Sequence, residues 1–299
     1  MFKVLILFYI NIYSLEKQIF ILTEDLSFFY WISKELKSIN LHFKVLNTNS
    51  KFPTTRDSTS IILTTYEELP KFSNLNKNSL FLPYIKEEKF EQFIKKVIAA
   101  YRIGYKEFYS KLLFSIDPGT KYIGLAVFLD DYYLNSHTIY GNRDLIEIIK
   151  EYITCFQKDN QKPMKIKFKF GRGFLSITKA LVEMFFNEFK NKKDFHCFLI
   201  DETRSSKIKI LNKKKKLPID EISALILALR AGIEIHENLS QIFSPIKFYK
   251  LNKEIYKIKN HDNSPNEKFL KELIEKLVDG KLSLKASKEM LKNKSLEKE

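Results

Sequence analysis

Apolar runs and polar breaks divide the chain into three stretches of different pattern. Between residues 17 and 105, short β-rich runs alternate with segments whose apolar residues recur at helical spacing. "QIFILT", "HFKVLN", "SIILTT" and "SLFLPY" read as strands, and "LSFFYWISKELKSI" and "EEKFEQFIKKVIAAYR" as amphipathic helices. Strands alternating with helices predict an open α/β layer, a Rossmann- or flavodoxin-like domain over residues 1–108. It has no Gly-rich phosphate loop and no acidic cluster of the phospho-receiver kind, so its expected use is docking. The opening "MFKVLILFYINIY" places a basic residue before an apolar run. The run is too short to span a bilayer, and no small-residue cleavage site follows. Residues 1–14 read as a first strand or as an upstream start.

From 109 to 240 the pattern changes. "KLLFSID", "IGLAVFLD" and "YYLNSHTIY" are three strands, joined by "PGTKY" and by the Asp130–Asp131 corner. Such short connections predict an antiparallel meander. Then come a helix, "NRDLIEIIKEYITCF", with Asn142 as its N-cap, and a strand, "MKIKFKF". A second helix, "FLSITKALVEMFFNEFK", leads to a strand, "HCFLIDE". A last helix, "PIDEISALILALRAGIEI", has Pro218 near its start. The order is βββαβαβα, a mixed sheet in which strands four and five return through helical crossovers parallel to strand one. Residues 241–299 form a polar linker and a helical hairpin. Leu270, Leu273, Ile274 and Leu277 make one apolar stripe there, and Gly280 breaks the run. That stripe predicts packing against another surface.

Chemistry gathers where apolar strands stop at acids. Asp117 ends the first strand of the meander in "SIDPGTKYIGLAV". Asp-Pro-Gly is a favoured turn sequence, so a purely conformational role for Asp117 is a complete reading. The element order adds a second one, because it places the end of this central strand at the functional edge of the sheet. Asp201 and Glu202 end the fifth strand and point to the same rim. Asp220 opens the last helix, on one stripe with Ala224, Leu227 and Ala231, small enough to let the helix approach the sheet. Glu221 is expected to face solvent. Carboxylates converging on one edge repel unless cations bridge them, and hard oxygen ligands suit Mg²⁺ or Mn²⁺. Two such ions about 4 Å apart activate a water and stabilise a leaving oxygen in phosphodiester hydrolysis.

"SIDPGTKYIGLAV", "LIDETRSS" and "IDEISALILAL", in this order and on these elements, resemble the RuvC-like branch of the RNase H-like superfamily. The resemblance is closest to the YqgF-type pre-16S rRNA nucleases, then to the RuvC-type Holliday junction resolvases, and covers about 111–236. It implies metal ligands at Asp117, at Glu202 with Asp201 beside it, and at Asp220, with Asp117, Glu202 and Asp220 catalytic. Arg204 falls one place later than the family arginine. The resolvases carry an acid at the end of strand four, where this chain reads "KFKFGRGF", and a second acid in the last helix, where this chain has Ser223. Two outcomes stay open: a divalent-metal-dependent nuclease on structured RNA or DNA, in rRNA processing or junction resolution, or an inactive RNase H-like nucleic-acid-binding or scaffold protein. Actin-like ATPases and sugar kinases share an Asp-x-Gly-Thr opening, but the second Gly-rich hairpin they need is missing here.

Charge points the same way. The 299 residues hold 51 Lys and Arg against 36 Asp and Glu, a net charge of +15, which favours a polyanionic partner. "KPMKIKFKFGR" has five basic residues and no acid, and "TRSSKIKILNKKKK" has seven and no acid. The second tract links strand five to the last helix. Phosphate contacts are therefore expected from Lys121, Arg172, Arg204, Lys213, Lys214, Lys215 and Lys216, salt-sensitive and blind to sequence. In the first tract, Lys165, Lys167 and Lys169 share one face of a strand that should be apolar on both. Either they reach solvent along their stems or that face binds phosphate. Two cysteines, Cys155 and Cys197, are too few for a disulfide framework or a thiolate zinc site, which fits a reducing, cytoplasmic setting. A membrane partner is not expected. A homodimer contact or protein partner stays open through the N-terminal domain or the C-terminal helices.

Overall fold

The computed structural model describes residues 17–47, 60–72, 79–104, 106, 108–158, 160–189, 194–201, 217–236 and 267–296. The chain divides into two compact units, Met1–Tyr105 and Lys106–Glu299.

In the first unit, β1 (Gln18–Ile21), α1 (Leu26–Ser38), β2 (Phe43–Val45), β3 (Ser60–Thr65), α2 (Leu69–Phe72), β4 (Leu80–Tyr84) and α3 (Phe90–Ile103) alternate as the apolar pattern predicts. All strand pairs are parallel, in the order β2-β1-β3-β4. This is a Rossmann- or flavodoxin-like layer. Asp25 caps α1, its Oδ1 accepting from the Ser27 and Phe28 amides at 2.9 and 3.0 Å. Such layers bind ligands where the strand order reverses, beyond the carboxyl ends of β1 and β3. Here Glu68 occupies that crevice. It accepts from Thr23 Oγ1 at 2.6 Å, the Glu24 amide at 2.5 Å and Thr65 Oγ1 at 2.8 Å. Burial raises its pKa, but these donors outweigh burial and hold the carboxyl below its usual range.

In the second unit, β5 (Lys111–Pro118), β6 (Ile123–Leu129) and β7 (Tyr132–Ile139) form the meander. They are followed by α4 (Asn142–Gln157), β8 (Lys165–Gly171), α5 (Leu175–Phe189), β9 (Phe195–Ile200) and α6 (Ile219–Leu229). The sheet order is β10-β9-β8-β5-β6-β7, with β8 parallel to both β5 and β9. Connectivity and strand order together make this an RNase H-like fold. Asp130 and Asp131 turn the β6–β7 corner with φ of 47° and 71°. Left-handed backbone suits aspartate, and the Asp130 carboxylate accepts from the Ser110 amide and hydroxyl at 2.8 Å each.

The sheet has two differently covered faces. Phe114 and Phe168 stack at 5.3 Å on the face that meets Tyr152 of α4 and Phe185 of α5. Leu113, Ser115 and Asp117 lie on the other face, under α6. The hairpin α7 (Glu267–Val278) and α8 (Leu284–Leu296) closes over α6. Leu270, Leu273, Ile274 and Leu277 join the same core as Ile222, Leu225 and Leu229, so the stripe has its surface. Helix α6, covered by sheet on one side and hairpin on the other, is buried at every position from Glu221 to Leu229.

Several expectations are corrected. The last helix ends at Leu229, and Gly232–Ile235 form β10, antiparallel to β9. Ala231 therefore lies outside the helical stripe. Gly232 suits this close pairing, since a Cβ there would lie 2.7 Å from the Leu199 carbonyl oxygen. Gly141, not Asn142, is the N-cap of α4. Glu221 is buried rather than solvated. Lys169 neither reaches solvent nor lines an open face. It is buried, and its Nζ donates to the carbonyls of Ala228, at 2.8 Å, and Arg230, at the C-terminal end of α6. Donation there satisfies carbonyls that the helix leaves without intrahelical partners. Residues 1–14 lie outside the described residues, as does the linker before the hairpin.

Candidate metal and nucleic-acid site

The rim of the sheet is built from the turn outward. Gly119 is fixed by space, because a Cβ on it would overlap the Tyr122 carbonyl oxygen. The tight turn brings β6 back so that Asp117 lies directly opposite Gly124 in the antiparallel ladder. Opposed residues of such a pair share a face, with Cα atoms about 5 Å apart.

Gly124 is where the last helix lands. A Cβ on it would overlap the Asp220 carbonyl and lie 3.2 Å from the Asp220 Cα. The main chain of Asp220 is thus seated on the ladder partner of Asp117. Small residues make that approach feasible: Gly124 and Ala126 of β6 lie where Ala224 and Ala228 of the helix share their core. Asp117 and Asp220 are both half-buried, at the boundary between core and water.

Glu221 holds the first turn of α6 in place. Ser136 Oγ and Thr138 Oγ1 of β7 both donate to its carboxylate, the latter at 3.1 Å. Tyr133 OH donates in turn to Ser136 Oγ at 2.7 Å. Sequence reasoning missed this residue. The signal that could have found it is the pair of hydroxyl residues two apart on β7, which share a face and need a buried acceptor.

Asp201 stands apart from the other two acids. It follows β9, two strands from β5, roughly 10 Å away across the sheet. Its register neighbours also separate it: Gly171 aligns with Ile200, and Ile116 with Phe170. Strand alternation therefore puts Asp201 and Arg172 together on the face opposite Asp117. They form an ion pair there at 3.4 Å, both side chains 13 % exposed. Arg230 Nη1 donates to the Asp201 carbonyl at 2.5 Å. Position 171 of β8, level with Asp117, is glycine and offers no carboxylate.

Lys121 is exposed in the turn, its Nζ 5.0 Å from the centre of the Tyr122 ring. Tyr122 and Tyr140 pack edge to face at 5.0 Å, one step beyond the last paired residues of β6 and β7. Glu202, Arg204, Lys213, Lys214, Lys215 and Lys216 lie outside the described residues. Among the described residues no three His, Cys, Asp or Glu are grouped as a metal would need. Cys197 is buried, and burial pushes its thiol pKa up, away from thiolate chemistry. No helix among the described residues is long and apolar enough to cross a membrane.

No protein-family model matches the chain, and no curated protein matches it. Among solved structures it is similar to A. aeolicus Argonaute (11% identity, 62% of this chain and 34% of that one, TM-score 0.21). The C-terminal lobe of a budding yeast Argonaute matches at 11% identity, with 62% and 55% covered and the same TM-score. A. aeolicus Argonaute with externally bound siRNA matches at 12%, with 66% and 36% covered, again at 0.21. The chain spans between about a third and about a half of the length of these chains. A likeness at that score leaves the fold to be read from the topology alone.

Proposed function

We propose that the chain is a divalent-metal-dependent nuclease acting on phosphodiesters of structured RNA or DNA. The observation that supports it is the seating of Asp220 on Gly124, beside Asp117. Two residues with hard oxygen donors, far apart in sequence, meet at the C-terminal end of the central strand. Oxygen-only donors suit Mg²⁺ or Mn²⁺. Asp117 and Asp220, with Glu202 from outside the described residues, would hold the ion. Bound there, it supplies charge stabilisation for an attacking water and a leaving oxygen. Lys121 and the tract at 213–216 would hold phosphates, a contribution that weakens with salt. The resemblance to YqgF-type nucleases directs the choice of substrate toward precursor rRNA, and that to resolvases toward branched DNA.

A second reading has its own support. Gly171 holds no carboxylate at the end of β8, and Asp201 is engaged by Arg172. An RNase H-like domain that binds nucleic acid without cutting it fits those two facts. One experiment separates the readings. The purified chain is incubated with Mn²⁺ on precursor rRNA and branched DNA, beside Asp117→Asn and Asp220→Asn. A nuclease loses cleavage at least about 100-fold in either variant. Binding without cleavage under every divalent metal supports the second reading, and equal cleavage by all three proteins sinks the first.

A further inference from the structure

Tyr140 is 75 % exposed, although it directly follows a strand whose last residue is buried. A tyrosine with most of its surface in water is not there for the core. Its ring meets Tyr122 edge to face at 5.0 Å, and Lys121 covers Tyr122. This edge-to-face contact fixes the Tyr140 ring while leaving it broadly open to water. The pair is also placed with respect to the rim. Tyr122 is two residues from Gly124 along β6, about 7 Å. Lys121 is exposed at the turn and supplies a cation beside the rings, and Arg143 and Asp144 are exposed at the start of α4.

We infer that Tyr122 and Tyr140 form a stacking platform for an unpaired nucleobase, with Lys121 on the neighbouring phosphate. The ligand is single-stranded nucleic acid, or a single-stranded segment beside a duplex. Base faces stack on aromatic rings whatever the base, so the platform selects for unpaired strand rather than for sequence. A base held there leaves its adjoining phosphate within a nucleotide's reach of Asp117 and Asp220. The inference deepens the nucleic-acid reading above and rests on it.

The test uses the full chain in EDTA, so that binding is read apart from cleavage. The probes are a fluorescent 12-nucleotide RNA, the same sequence in DNA, an abasic version of the DNA and a blunt duplex. The chain is expected to prefer single strands to the duplex. Tyr140→Ala should weaken single-strand binding by about 5- to 150-fold, with the salt slope unchanged. Tyr140→Phe should bind as the unmodified chain does, and the abasic probe should be insensitive to Tyr140→Ala. Single-strand binding unaltered by Tyr140→Ala would overturn the inference. So would an equal loss on the abasic probe, or ring-dependent self-association in sedimentation without oligonucleotide binding. Loss of cleavage with the Tyr140 effect intact would count against the nuclease alone, and the reverse pattern against the platform alone.

Discussion

The main chain of Asp220 rests on Gly124 at a distance that leaves no room for a side chain. Everything proposed for the rim depends on that contact, because it seats the start of α6 on the strand pair that carries Asp117. Gly124→Ala must push the helix away, since the obstacle is backbone and cannot rotate aside. The expected cost is about 3 kcal/mol, the upper end for an overpacked core. Mn²⁺ affinity should fall about 10- to 100-fold in the same variant. Thermal unfolding and calorimetric titration measure the two. A Gly124→Ala protein with unchanged stability would mean that the helix does not sit there.

Glu221 tests the same geometry from β7, the strand beside the one that seats Asp220. Its carboxylate is buried and receives two hydroxyl donors from β7. Glu221→Ala leaves the buried Ser136 and the half-buried Thr138 without their acceptor. The expected loss of stability is about 2–3 kcal/mol, in the range for hydrogen bonds to charged groups. A double-mutant cycle with Ser136→Ala should show coupling, as residues in one network are not additive. Strict additivity would remove the network.

Apart from the single turn α2 and strand β10, the elements of both units were legible because the strands are short apolar runs and each long helix has an apolar face. Asp117 and Asp220 were legible as positions, since element order alone carries a first-strand end and a last-helix start to one rim. The role of Glu221 was not. Helical phase turns Glu221 about 100° from Asp220, and only the tertiary fold shows that the sheet extends there as β7, whose Ser136 and Thr138 meet it. Strand β10 was hidden because four residues directly after a helix read as its continuation. Lys169 was legible as an anomaly on its strand. What resolves it, the C-terminal carbonyls of α6, is placed by tertiary packing that alternation cannot predict.

Lys169 makes alkaline pH informative. Burial, then the neighbouring Lys288 ammonium, lowers its pKa well below the ordinary 10.5. Lys288 is lowered too, chiefly by burial. The charged groups around the pair are Lys111, Lys167 and Asp131, with Asp131 bound by Lys111 at 2.8 Å. Lys169 Nζ donates to the carbonyls of Ala228 and Arg230 and shares a hydrogen bond with Lys288. The unfolded chain binds more protons than the folded one up to 10.5, so stability should rise with pH through that window. Lys17, lowered to about 8 by burial, adds in the same direction for the first unit. Cys197, raised by burial, acts oppositely above its ordinary 9.0, so the slope is best read between pH 7 and 9. Lys288→Met removes the neighbouring charge and should flatten the rise. An identical slope in the two proteins, followed by urea unfolding at each pH, would show that the lysines do not share a proton.

Asp201 and Asp117 should respond oppositely to the same conservative change. Asp201 lies on the far face of the sheet in an ion pair with Arg172, both side chains largely shielded from water. Asp201→Asn strips the charge that Arg172 faces, at a cost of about 1–3 kcal/mol. It should leave Mn²⁺ affinity within about twofold, because no ligand is lost at the rim. Asp117→Asn should do the reverse, holding stability while Mn²⁺ affinity falls. Loss of metal binding in Asp201→Asn, with stability intact, would move Asp201 from the ion pair to the metal site and make the fifth strand contribute through its first acid rather than through Glu202.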